Sequence, residues 1–125
     1  MNSAHERRRH PRLENNVTLK IRSDDFDIIT ETKNLSSSGV YCRVNKYLEP
    51  MTKLKILLLL PTQKGHKKET TKKISCQGVI VRTESIPGDE YFNIAIYFND
   101  ILQKDINCLN DYINANLKNA DTTNP

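Results

Sequence analysis

Hydrophobic and polar residues alternate with a period of two along most of the chain. In residues 17–22, Val17, Leu19 and Ile21 alternate with polar side chains, which is typical of a strand with one buried face. Polar turn residues separate this segment from the next one, so we expect the two to pair as a hairpin. Gly78 interrupts a later strand and predicts a bulge or a bend there. Five further strands are predicted at residues 27–36, 39–44, 53–60, 74–84 and 91–98.

The pattern changes after residue 98. Apolar side chains then recur at intervals of three and four residues, at Leu102, Ile106, Leu109, Ile113 and Leu117. This spacing places them on one face of a helix, which we predict over residues 100–118, followed by a disordered tail over residues 119–125. Short strands without intervening helices favour a barrel over a parallel sheet. The sequence therefore predicts a mainly β fold, a six-stranded antiparallel β-barrel over residues 16–99 with one C-terminal amphipathic helix lying across an opening.

The composition limits the classes of protein that fit. A chain of 125 residues has room for one domain with a modest core. Its longest apolar run, residues 56–60, is too short to cross a bilayer, and the charged N-terminus has no signal-peptide pattern. The cysteines and histidines lack the spacing of a disulfide framework or a metal site, and no catalytic grouping is visible. We expect a cytoplasmic protein that inserts into no membrane, is not an enzyme and needs no metal or cofactor.

Positive charge is concentrated in two segments. The composition of a lysine-rich segment at residues 64–73 fits either a solvated connection between strands or a docking surface for an acidic partner. The other cluster lies in residues 1–15, which we expect to be flexible, and contains Arg7, Arg8, Arg9 and Arg12. Pro11 disfavours a helical conformation for the residue before it, so this cluster should be extended. An arginine side chain can hold the edge of a guanine, grip a phosphate or stack on a base.

A polar run, Asn-Leu-Ser-Ser-Ser-Gly at residues 34–39, joins the second and third strands. Asn34 offers a side-chain carbonyl that can accept from a guanine edge, and the serines offer hydroxyl and backbone N–H groups that suit an anion. Gly39 would supply either a positive φ or room for a ligand, so it should be less replaceable than Ser37, whose hydroxyl we expect to be exposed. By itself the run also fits an ordinary turn, as the arginines alone fit a solvated tail.

Together, the two segments resemble the signature of the PilZ domain family. Arg8-x-x-x-Arg12 is followed, one hairpin later, by Asn34-x-Ser36-x-x-Gly39, further strands and a closing helix. The resemblance covers the chain from about residue 6 to the end of the predicted helix. It implies a bacterial second-messenger receptor in which the two arginines hold the guanine and phosphate groups of cyclic di-GMP. The three later residues would form the facing wall, with an asparagine where the family more often has an aspartate.

The resemblance implies a binding module that signals to a downstream effector protein when its N-terminal segment becomes ordered on the ligand. Arg7 directly precedes the pair and would contact a second, intercalated cyclic di-GMP molecule. The alternative is a small basic β-barrel that binds nucleic acid through phosphate contacts and base stacking. It is disfavoured because the chain has only five tyrosines and three phenylalanines, and several of these are needed for the core. Its candidate stacking residues are Tyr41, Tyr47, Tyr91 and Phe92.

Overall fold

The computed structural model describes residues 16–62 and 70–123, with side chains over residues 16–61 and 70–117. Six antiparallel strands form a closed barrel in the order β1-β2-β3-β6-β5-β4, and one helix follows them in the described part of the chain. This confirms the predicted mainly β fold with its six strands and C-terminal helix. The elements are β1 (Thr18–Arg22), β2 (Asp27–Leu35), β3 (Gly39–Val44), β4 (Lys53–Thr62), β5 (Thr70–Ser85), β6 (Phe92–Asp100) and α1 (Gln103–Thr123).

The pairing of β1 with β4 closes the barrel. Leu19 lies opposite Leu58 and Ile21 lies opposite Ile56, and all four side chains are buried in the interior. On β1 they alternate with the exposed side chains of Lys20 and Arg22, which is the period-two pattern of the sequence, because successive side chains of a strand point to opposite faces. Full burial of such a side chain stabilises the fold by about 1.5–3 kcal/mol. The repeated apolar positions therefore determine which face of each strand is turned inward.

Register shifts interrupt two of the strand pairs. The predicted irregularity at Gly78 is present, because the pairing of β5 with β6 shifts between Gln77 and Gly78. A Cβ atom at Gly78 would approach Cγ2 of Ile96 to 2.6 Å, so the glycine also lets the two strands pack closely. Two further shifts were not predicted, one between Thr32 and Asn34 on β2 and one between Ile80 and Arg82 on β5.

Helix α1 packs its apolar stripe against the barrel through the buried side chains of Leu109 and Ile113. It begins at Gln103 rather than residue 100, because β6 continues to Asp100 and the carbonyl of Leu102 accepts the first helical hydrogen bonds. It also runs past residue 118, the predicted end, since no glycine or proline interrupts it before residue 124. No helix in residues 16–62 and 70–123 is long and apolar enough to span a bilayer.

The cysteines have a packing role within the barrel. Cys42 and Cys76 are buried, and burial raises the pKa of each thiol to about 12, with Asp105 and Asp100 adding to the effect at Cys76. Both thiols are therefore protonated at neutral pH and behave as small apolar side chains.

Candidate functional site

A cavity of about 340 Å³ lies on the outer surface of the barrel, beside the connection between β2 and β3. Four strands each contribute one lining residue to a single cross-strand row: Asn34 pairs with Tyr41, Tyr41 with Ala95, and Ala95 with Arg82. The small side chain of Ala95 leaves a depression between its larger neighbours. The row places a carboxamide, a phenol and a guanidinium around one concave surface.

The two unpredicted register shifts lie at the two ends of this row. On β2, the shift leaves Thr32 buried while Asn34 faces the cavity. On β5, the shift places Val81 and Arg82 side by side on the exposed surface, and both line the cavity. A bulge re-aims the side chains beside it, which a regular strand would send to alternate faces. The cavity is thus a product of two local breaks in the ladder.

The turn that borders the cavity is held by its own hydrogen bonds. The backbone N–H of Ser36 donates to the carbonyl of Gly39 at 3.0 Å, and that of Ser38 donates to Oγ of Ser36 at 3.2 Å. The carbonyl of Ser38 accepts from the backbone N–H of Phe98 at 2.9 Å, which fixes the turn to β6. Ser36 is therefore a buried residue that shapes the turn, and contacts within the protein hold the turn in place.

For Gly39 one of the two predicted reasons is excluded, and the exposure predicted for Ser37 was wrong. Gly39 does not have a positive φ; among the described glycines only Gly88 does. Gly39 is needed because a Cβ atom would overlap the carbonyl oxygen of Ile96, so β3 can approach β6 only with a glycine here. Ser37 was expected to be exposed, yet it retains only 6% of its accessible surface. The turn folds back onto the barrel, which buries the middle of the serine run.

Asn34 is half-buried and lines the cavity. Within residues 16–61 and 70–117, no hydrogen bond or ion pair engages its carboxamide. The amide of Asn34 thus has no partner in the described part of the chain, and its predicted contact with a guanine edge stays a prediction.

The polar groups at the other end of the row form a small network. The Tyr41 hydroxyl donates to Oε1 of Glu84 at 3.0 Å, and Nε of Arg82 lies 3.5 Å from Oε2 of the same carboxylate. Burial, and then the hydrogen bond and charge of Glu84, raise the pKa of Tyr41, which keeps the phenol protonated as a donor. Glu84 thus holds Tyr41 and Arg82 beside the cavity while leaving most of the guanidinium donors of Arg82 unused.

Among the lining residues that sequence reasoning missed, Arg82 and Tyr97 offer the groups best suited to a ligand. Tyr97 lies opposite Gly39 on β6, and its ring is 52% exposed along the cavity, so it offers a flat face for a base. Both residues stand at outward positions of their strands, and nothing in the local sequence distinguishes them from other exposed residues. Only the pairing order of the barrel, which brings β5 and β6 beside the turn, connects them with Asn34.

The arginines predicted to bind the ligand, Arg7, Arg8 and Arg12, lie outside the described residues, as do residues 64–69 of the lysine-rich segment. Residues 70–73 of that segment belong to β5 and not to a connection between strands. The chain enters the barrel close to the cavity, however. The backbone N–H of Val17 donates to Oγ1 of Thr32 at 3.1 Å, and its carbonyl accepts from the N–H of Thr32 at 2.9 Å. This anchor lies on the bulge whose other side carries Asn34.

Comparison with solved structures finds the same fold in distant proteins. The inhibitor of motility from Bacillus subtilis, MotI/DgrA, matches with a TM-score of 0.78 and 20% identity over 90% of this chain and 52% of that one. MrkH from K. pneumonia matches with a TM-score of 0.68 and 18% identity over 92% and 50%. The PilZ domain of YcgR from Escherichia coli, solved with c-di-GMP, matches with a TM-score of 0.61 and 14% identity over 91% and 94%. The chain thus spans about half the length of the first two.

A comparison with curated proteins finds no match. The family model for the PilZ domain, in contrast, matches residues 6–115. That match includes the arginine cluster, the Asn34–Gly39 turn, all six strands and most of the helix. On this match, the chain belongs to the PilZ domain family.

Proposed function

We propose that this protein is a receptor for cyclic di-GMP, which it binds in the cavity bordered by Asn34, Tyr41, Ala95 and Arg82. The observation that carries the proposal is the carboxamide of Asn34, which no other described residue engages, at one end of a concave row beside a hydrogen-bonded turn. Membership of the PilZ domain family supports it, as does the likeness to the YcgR PilZ domain with c-di-GMP. The protein acts in this proposal by binding and signalling, and not as an enzyme.

Each lining group has a role that suits a guanine nucleotide. The side-chain oxygen of Asn34 accepts from the N1–H or N2–H group of a guanine. The ring of Tyr97 provides a stacking face, and Arg82 provides charge for a phosphate or a second stacking surface. Ser36 and Gly39 contribute shape, because they fix the turn that forms the cavity wall.

Arg8 and Arg12 complete the site from the other side. Arg12 precedes Val17 by five residues, which an extended chain covers in about 17 Å, and Arg8 precedes it by nine, about 30 Å. Because Val17 is anchored beside the β2 bulge, both side chains are within reach of the cavity. The N-terminal segment orders when the two arginines grip the nucleotide, and the ordered segment presents a new surface to a downstream effector protein.

Isothermal titration with cyclic di-GMP tests this proposal, with GTP and a short DNA duplex as controls. We expect selective binding of cyclic di-GMP. Arg8→Ala, Arg12→Ala and Asn34→Ala should each weaken it, by about tenfold to a hundredfold for the arginines, since a hydrogen bond to a charged group contributes about 1.5–3 kcal/mol. Arg9→Ala and Lys33→Ala are the matched controls and should change affinity little. Equal affinity in all five variants, or a preference for DNA, would reject the site.

The stoichiometry of the same titration addresses Arg7. Neighbouring side chains of an extended segment point to opposite sides, so Arg7 and Arg8 address different faces of a stacked pair of nucleotides. We expect two cyclic di-GMP molecules per chain in the unmodified protein and one in Arg7→Leu. A value near one for the unmodified protein would remove Arg7 from the site and leave Arg8 and Arg12 in place.

A further inference from the structure

The cavity in which we place cyclic di-GMP, bordered by Asn34, Tyr41, Ala95 and Arg82, is called the nucleotide cavity below. A second cavity, of about 690 Å³, lies on the opposite side of the barrel. It crosses the outer surface of β2, β1, β4 and β5 and shares no lining residue with the first cavity. In the barrel order, the β1–β4 pair at its centre is diametrically opposite the β3–β6 pair at the centre of the nucleotide cavity. We call this second cavity the β1–β4 groove. A molecule bound there leaves the nucleotide cavity open.

In the part of the chain that the structure describes, the β1–β4 groove carries more positive charge than ion pairs with acidic side chains neutralise. Arg22 lies directly opposite Lys55, a pairing of like charges that destabilises neighbouring strands. Arg22 is compensated by Asp27, at 3.0 Å from Nε to Oδ1. Lys20 and Lys55 have no acidic partner within residues 16–61 and 70–117. The two lysines therefore stand as unpaired cations within one groove.

Apolar side chains lie between and beside these cations. Ile29 and Leu57 are the cross-strand partners of Lys20 on its two sides, and Ile29 is 69% exposed. Leu102, which follows β6, lines the groove and is 60% exposed. Large apolar residues with a polar rim are the usual composition of a protein interface rather than of a plain solvated wall. The groove thus combines positive charge with exposed apolar surface, which suits a ligand that is both negatively charged and partly apolar.

We propose that the β1–β4 groove binds a short acidic and hydrophobic segment of a partner protein. Acidic side chains of the segment pair with Lys20 and Lys55, and its apolar side chains pack on Ile29, Leu57 and Leu102. The segment binds through side chains and not as an added strand, because β1 and β4 are each paired on both edges in the closed barrel. The four strands span about 14 Å, which suits a few residues of extended chain or one helical turn.

A membrane surface fits the groove less well than a protein segment. Asp27 lines one end of the groove and Asp100 lines the other. A sheet of anionic headgroups would place negative charge against both aspartates, whereas a peptide can place its carboxylates at the two lysines only. The concave shape also favours a segment that enters the groove over a flat bilayer.

Panning a displayed library of random decapeptides against the full chain tests the proposal. We expect the selected peptides to be enriched in Asp or Glu together with Leu, Ile or Phe. Their affinity should fall at least tenfold in Lys55→Glu and in Lys20→Glu, and it should decrease with added salt. Ile29→Ser should also lower the affinity of the selected peptides. Lys53→Glu, the same charge change at an exposed position of β4 outside the groove, is the matched control and should retain binding.

Folding and nucleotide binding provide the remaining controls. A glutamate at position 55 would face Arg22, so Lys55→Glu should melt no earlier than the unmodified protein. It should also keep its affinity for cyclic di-GMP, which separates this proposal from the proposed function. Selected peptides without acidic residues, or peptides that bind Lys55→Glu and Lys53→Glu equally, would overturn the proposal. Binding to phosphatidylserine vesicles in place of acidic peptides would overturn it in favour of a membrane surface.

Discussion

The two walls of the barrel differ in the regularity of their strand pairing. On one wall, β1 pairs with β4 without interruption, from Thr18 opposite Leu59 to Arg22 opposite Lys55. On the other wall, β2 and β5 each carry a register shift, and the shifted strands flank β3 and β6. Both walls bury apolar side chains and turn polar ones outward, but only the irregular wall has register shifts beside its cavity. Regular pairing gives the β1–β4 wall its outer groove without any break in the ladder, whereas the cavity beside the Asn34–Gly39 turn depends on two such breaks.

The largest effect on folding should come from the regular wall. Leu58 is fully buried at the centre of β4, so Leu58→Ala should lower the free energy of unfolding by about 2–5 kcal/mol. Leu57→Ala is the matched control on the outer face of the same strand and should cost less, because Leu57 is only partly buried. Urea unfolding measures the free energy of unfolding of both variants. If the two variants lost equal stability, the assignment of inner and outer faces on β4 would be wrong.

The next largest effect should come from the turn of the irregular wall. A Cβ atom at position 39 overlaps the carbonyl oxygen of Ile96, so Gly39→Ala should cost about 1–3 kcal/mol and weaken cyclic di-GMP binding as the turn moves. Gly88→Ala is a useful control, since the new Cβ atom meets nothing within 4 Å although φ there is +75°. It should cost stability through strain and leave the affinity unchanged. Equal affinity of the two alanine variants would mean that the turn does not shape the site.

A smaller effect is expected for Ser37. Removal of a buried hydroxyl costs about 1 kcal/mol, so Ser37→Ala should lower stability measurably while changing the nucleotide affinity less than Asn34→Ala does. Thermal unfolding and titration of the same samples give both quantities. A larger loss of affinity in Ser37→Ala than in Asn34→Ala would move the main polar contact from the asparagine to the serine run.

The same contrast explains what the sequence could predict. The inward positions of β1, such as Leu19, follow from period-two alternation, and the spacing of Leu109 and Ile113 follows from helix periodicity. On β4 the apolar run over residues 56–60 hides the alternation, so the inward direction of Leu58 is known only from the structure. Asn34 could be identified because it stands in a local motif. The row that joins it with Arg82 could not, since it depends on pairing between strands far apart in the chain and on bulges that no turn residue marks. Only the register shift at Gly78 could be predicted from the sequence, because a glycine inside a strand indicates a bulge or a bend.

The central claim is that cyclic di-GMP occupies the irregular wall, and amide chemical-shift mapping during a titration with the nucleotide tests it most directly. The account predicts that the largest shifts occur at Asn34, Tyr41, Ala95 and Arg82 and in the turn over residues 36–39. Amides of β1 and of residues 53–58 on β4 should change little, because they lie on the opposite wall. Shifts centred on β1 and β4, with the row from Asn34 to Arg82 unchanged, would contradict the account.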